Sequence, residues 1–138
     1  MINKSEKAAE LFGKGYNCAQ AVFCSFCDNY DFDVAVAEKI ACGLGSGVRN
    51  AEVCGAVLGA VLVIGLKYGD DKKVCNAKTE EFTAEFRVRN QHIVCRNILG
   101  CDIATLEGRE VAIKANLFKT VCLDMVVSAV GILDKLGY

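Results

Sequence analysis

Nine cysteines in a chain of 138 residues are the side chains here best equipped for chemistry. A thiolate is at once a nucleophile, a reductant and a soft ligand, so this supply points to thiol–disulfide exchange or to metal and iron–sulfur ligation. In a reducing cytosol the thiols are not expected to be static disulfides, and the odd count leaves at least one unpaired. Asn17 is a good N-cap, which sets Cys18 in the first turn of a helix, where unpaired N–H groups and the dipole favour a thiolate. Asn50 or Arg49 plays the same part ahead of Ala51-Glu52-Val53-Cys54, so Cys54 also falls at a helix entrance, with Arg49 adding a nearby positive charge. Cys24 and Cys27 match C-x-x-C but lie mid-helix, away from the helix N-terminus and βαβ setting of a redox motif, and read as structural. The only histidine, His92, stands three residues before Cys95 and could orient or deprotonate a thiol, ligate a metal, or simply bond a carbonyl.

The elements that must position these groups are helices. Proline is absent, β-branched alternation is scarce, and the hydrophobic share of 53% is ample for a core, so we expect one all-α domain over residues 1–138. It is expected to be a compact bundle of five or more helices around a central one at about 53–66. That central stretch, Val53 to Leu66, holds fourteen uncharged residues between Glu52 and Lys67, and a helix apolar on every side belongs in the middle of a protein. At ~1.5 Å per residue it reaches ~21 Å, short of the ~30 Å hydrocarbon core of a bilayer, so no membrane span is expected. Gly55 and Gly59, four apart, share a face that lets a neighbouring helix approach closely.

Around it, the spacing predicts a first helix from about Lys4 to Gly13, a second from Cys18 to about Asn29 and a third from Val34 to Cys42, the last entered by Asp33. Gly43, Gly45 and Gly47 form the turn that follows; it succeeds a helix and lacks the Gly-Lys-Ser/Thr ending of a phosphate loop. Val88, His92, Cys95 and Leu99 predict one stripe on a long helix from about Lys78 to Leu99, ended by Gly100, after a polar turn that leaves Cys75 exposed. Phe118, Cys122, Met125, Ala129 and Ile132 predict the inward face of a closing helix, about Val111 to Leu136.

Short connections make consecutive helices antiparallel, so heights along the bundle can be estimated. The turn near residues 72 and 73 brings Cys54 level with Gln91 to Cys95. The second and third helices set Cys18 opposite Cys42, just before the turn that delivers Cys54, and the last helix returns Cys122 toward Cys95. Cys18, Cys54, Cys95 and Cys122 are therefore the candidates for one cluster.

Charge excludes other classes. Sixteen basic residues against 17 acidic ones give a net charge of -1 with no basic block, which argues against nucleic acid or an anionic membrane surface as partner. The start, Met1-Ile-Asn-Lys-Ser-Glu-Lys7, has no apolar signal core, so the protein is expected in the cytoplasm.

The segment Gly15-Tyr-Asn-Cys-Ala-Gln-Ala-Val22, then Cys54-Gly-Ala-Val-Leu-Gly59, then Cys95 before Leu99-Gly-Cys-Asp102, then Cys122, resembles the C-GCAxxG-C-C family of redox-active proteins along nearly the whole chain. The resemblance implies a small, mostly helical bacterial or archaeal protein, often encoded near transporters or oxidoreductases, whose four shared cysteines are Cys18, Cys54, Cys95 and Cys122. A redox or transporter-associated protein is the implied partner. The leading reading is a thiol-based redox protein, a thiol–disulfide oxidoreductase or electron relay, in which Cys54 or Cys18 reacts first and exchanges with a second cluster cysteine. The alternative is a metal-ion or iron–sulfur module held by the same four thiolates, though these come singly from separate helices. A third is a helical interaction protein whose cysteines only fill the core.

Overall fold

The computed structural model describes residues 3–138, and among them the chain is helical throughout, with a single isolated bridge between Val53 and Val94 and no strand. Helix α1 spans Lys4–Gly13 and α2 spans Cys18–Phe26, followed by a tight 3-10 turn at Cys27–Tyr30. Helix α3 spans Val34–Ile40, α4 Gly55–Tyr68, α5 Lys72–Asn90, α6 Cys95–Leu99, α7 Leu106–Lys114 and α8 Val121–Lys135. Asn17 and Asp33 cap their helices as read from sequence, whereas neither Asn50 nor Arg49 caps α4, whose N-cap is Cys54 with no side-chain cap. The Asn17 side chain accepts from Gln20 N at 2.8 Å while Gln20 Oε1 accepts from Asn17 N at 2.9 Å, a reciprocal capping box, and Asp33 accepts from Ala35 N.

Helix α4 lies at the centre, packed against α2, α5 and α8, and α1 closes the bundle over α2 and α8. Its small face meets α2: a Cβ placed on Gly59 would stand 2.6 Å from the Ala19 carbonyl oxygen and 3.1 Å from Val22 Cβ. Backbone cannot yield there as a flexible side chain could, so glycine permits the contact. Val57, Ala60, Val63 and Ile64 are buried, whereas Val61, Leu62 and Leu66 pack along a partly exposed edge. Phe26, Phe82, Phe86, Ile132 and Leu133 fill the core from the other helices, each side chain's burial stabilising the fold by roughly 1.5–3 kcal/mol.

Two long helices expected from periodicity are broken. The helix expected over 78–99 begins earlier, at Lys72, and stops at Asn90, because Gln91 takes a positive φ of 69° and closes onto the Arg87 carbonyl at 2.7 Å. The chain then bends at Ile93 and is extended at Val94, and its backbone pairs with the entrance to α4: Cys54 N donates to Ile93 O at 2.7 Å and Cys95 N to Glu52 O at 2.6 Å. Val88, His92, Cys95 and Leu99 consequently do not share a stripe; Val88 and His92 are exposed while Cys95 is buried. The closing helix expected over 111–136 is two helices, α7 and α8, separated where Asn116 adopts φ 58°, a left-handed conformation that asparagine tolerates better than most residues. Phe118 lies in the intervening turn, and Cys122, expected in mid-helix, stands in the first turn of α8. Smaller departures are the end of α2 at Phe26, the end of α3 at Ile40 and the shift of the central helix to 55–68.

A second, smaller hydrophobic cluster forms outside the bundle from Ala51, Cys95, Ile103 and Ala112, with Leu99, Cys101, Leu117 and Phe118 around it. It is held to the entrance of α4 by Arg96, which donates to the Ala51 carbonyl at 3.1 Å and pairs with Glu52 at 2.9 Å. The turn Gly47–Ala51 beneath it is built from left-handed residues, Ser46, Val48, Arg49 and Ala51 all having φ between 54° and 62°. Such backbone costs of order 1–3 kcal/mol per non-glycine residue and persists where its surroundings demand it.

Candidate thiol site

Four cysteines stand where helices begin. Cys18 is the first residue of α2, Cys54 caps α4, Cys95 is the first residue of α6, and Cys122 is the second residue of α8. A helix start presents N–H groups without intrahelical partners, and those of Ala56 and Val57 face the Cys54 sulfur. Gly55 lets Cys18 close on this entrance, a Cβ there lying 3.2 Å from Cys18 Cβ. The Val53–Val94 bridge brings Cys95 beside Cys54. Asn17 secures the approach from the far side, its Nδ2 donating to the carbonyls of Ala41 and Cys42 at 3.2 and 2.9 Å.

All four line one cavity of about 200 Å³, walled on its apolar side by Phe12, Ile103 and Phe118. No residue bearing a formal charge lines it. Cys54 and Cys95 are nearly covered, at 7% and 8% exposure, whereas Cys18 and Cys122 are partly buried. Among the described residues, no three histidine, cysteine or acidic side chains converge closely enough to hold a metal ion. The four sulfurs ring a space.

Their acidities differ for physical reasons. Interaction with the Cys122 sulfur drives the Cys18 pKa well up, with burial adding to it, and interaction with the Cys18 thiol draws that of Cys122 below the ordinary thiol value. A proton is thus held at Cys18 and a thiolate favoured at Cys122. Burial raises Cys54 to about 11 despite its two N–H neighbours, and burial with the nearby sulfurs of Cys54 and Cys122 raises Cys95 to about 12. Desolvation outweighs a helix start when a thiol is covered, so burial holds Cys54 and Cys95 above the ordinary thiol value.

Comparison with protein families decides what this arrangement belongs to. The model of the family described as "Putative redox-active protein (C_GCAxxG_C_C)" matches residues 16–136. The chain belongs to this family. As a C_GCAxxG_C_C protein it carries the redox association of that family, and its match spans all four helix-start cysteines. Comparison with curated proteins and with solved structures finds no match.

The remaining candidates of this C_GCAxxG_C_C chain lie elsewhere. His92 is exposed outside the cavity, and Arg49 donates to Ser46 Oγ at 3.2 Å instead of facing Cys54. Cys24 and Cys27 are buried in the core, Cys27 donating to the Phe23 carbonyl at 3.2 Å. Cys42 is exposed, Cys101 packs at the smaller cluster, and Cys75, expected to be exposed, is half-buried against the main core. Sequence reasoning missed Phe12, Ser46, Ile103 and Phe118 as cavity walls. Nothing in residue type marks such walls, since apolar side chains read first as core.

Proposed function

We propose that the chain is a thiol–disulfide oxidoreductase or electron relay in which Cys122 is the attacking thiolate and Cys18 the resolving thiol. The observation that carries this is one cavity lined by four cysteines from separate helix starts, of which Cys18 and Cys122 are the more exposed pair. Cys122 attacks one sulfur of an incoming disulfide, forming a mixed disulfide and releasing the first thiol. Cys18 then loses its proton and displaces the second, so two electrons pass to the substrate and a Cys18–Cys122 disulfide remains. Cys54 and Cys95, more covered and less acidic than Cys122, form the inner pair to which the oxidation can be handed by a further exchange. The partner in this reading is a disulfide-bearing molecule of a reducing compartment.

The competing reading is zinc or iron–sulfur ligation by Cys18, Cys54, Cys95 and Cys122. A divalent ion on four thiolates leaves two net negative charges, and no lining cation offsets them. Elemental analysis of protein purified under reducing conditions separates the two. We expect less than one metal per chain, and we expect peptide mapping after mild diamide treatment to recover a Cys18–Cys122 linkage that dithiothreitol reverses. One zinc or iron–sulfur chromophore per chain, lost when any of the four becomes serine, would make the metal module correct instead.

A further inference from the structure

The cavity has a property that disulfide exchange leaves unused: its thiols come from separate helix starts, around an empty volume, with uncharged walls. We propose that it captures a neutral trivalent hydroxide of a soft element, of the arsenite class, through the sulfurs of Cys18, Cys54 and Cys122. This uses the same thiols as the redox reading but does not depend on exchange.

Three observations carry it. The first is charge. With no lining residue of formal charge, an ion requiring several thiolates is disfavoured, whereas a trivalent centre on three thiolates is neutral and suits apolar walls at Phe12, Ile103 and Phe118. The second is the source of the ligands. Cys18, Cys54 and Cys122 project from the starts of α2, α4 and α8, three separate directions toward one volume, as a pyramidal three-coordinate centre needs. The third is room. The sulfurs ring the cavity without converging, and moving a cysteine between staggered rotamers carries its sulfur by roughly 3 Å, so a volume of about 200 Å³ lets them close on a guest without moving a helix.

The step balances without an oxidant or a reductant. Each S–H condenses with one hydroxyl of the trihydroxide, an element–sulfur bond replaces an element–oxygen bond, and the thiol proton leaves with the hydroxide as water. Three thiols and one trihydroxide yield one trithiolate and three waters, with the oxidation state unchanged. Cys95 is left out because it sits on the short helix α6 in the smaller cluster, whereas Cys18, Cys54 and Cys122 stand at the starts of helices of the main bundle.

The test uses reduced full-length protein, freed of small thiols and mixed with equimolar sodium arsenite. Native mass spectrometry is expected to show one arsenic per chain at the mass of arsenic less three protons, and titratable thiols should fall from nine to six. Iodoacetamide mapping of the wild-type protein should find Cys18, Cys54 and Cys122 protected while Cys75 and Cys101 are not, a readout that does not depend on any variant folding. Cys122→Ser should lose the adduct and Cys24→Ser should keep it. No adduct at equimolar arsenite, protection confined to Cys24 and Cys27, or an adduct that survives in Cys122→Ser with native circular dichroism would each overturn the proposal. Diamide treatment in parallel keeps the readings apart: arsenic capture without a reversible Cys18–Cys122 disulfide removes the redox role alone, and the converse removes capture alone.

Discussion

The acidity of the site turns on the pairing of two thiols, Cys18 and Cys122. The neighbouring Cys18 thiol lowers the Cys122 pKa, so removing that thiol should return Cys122 toward an ordinary thiol pKa. In Cys18→Ala, iodoacetamide labelling of Cys122 at pH 7 should slow by about tenfold for each unit by which that pKa rises. Following the labelling rate against pH reads this directly: the wild-type curve should rise at lower pH than that of the variant, and superimposable curves would show that Cys18 does not set the acidity. Arg49 and His92, the charged and titratable neighbours expected near the thiols, stand apart from the cavity, so His92→Ala should leave the curve unchanged.

Helices set the precision of the site, and two glycines test how. On α4, Gly59→Leu must force a side chain against the Ala19 backbone and should destabilise the fold by about 3 kcal/mol or more. Gly65, on the same helix, has nothing within 4 Å of an added Cβ, so Gly65→Ala should stabilise by roughly 0.5–1 kcal/mol through helix propensity. Denaturant unfolding of both variants checks the pair; a wild-type curve for Gly59→Leu would remove the close α2–α4 contact that seats Cys18 beside Cys54. On α7, an added Cβ at Gly108 would collide with the Asp102 backbone. Gly108→Ala should therefore loosen the α6–α7 cover and speed alkylation of Cys95, with helical content little changed.

Across the whole molecule, the cavity lies at the seam between two hydrophobic clusters. Cys18 and Cys54 belong to the bundle and Cys95 to the smaller cluster, so covalent change at the thiols is placed to alter how the two parts hold together. Protonation does so as well. Burial raises the Cys54 thiol from 9.0 to about 11, which means the folded state favours the protonated form. Its contribution, about 3 kcal/mol for two units, is fully present below the unfolded thiol value and is lost as pH rises through the folded one. Under reducing conditions, unfolding free energy should fall between about pH 9 and 11, and Cys54→Ala should flatten that fall. A stability that stays level to pH 11 would show that Cys54 is not held protonated.

Much of this was legible in the residues. An uninterrupted apolar run required a central helix; Asn17 and Asp33 announced their helices because their side chains cap locally; Gly55 and Gly59 marked a close face because helical spacing alone puts them together. Short connections even placed Cys54 beside Cys95, since antiparallel neighbours leave few choices of height. Where α5 stops and where α8 begins was not legible. Gln91 and Asn116 carry no strong breaking signal, and periodicity favoured continuing both helices. Tertiary contacts decided otherwise: residues 93 and 94 exchange helical hydrogen bonds for pairing with residues 52–54, and the turn at 115–120 restarts the chain just ahead of Cys122. The identities of the four cysteines were therefore open to the sequence, because they follow from order and neighbours along the chain. Their relative acidities were not, because burial and the proximity of one sulfur to another arise only when separate helix starts are packed around one cavity.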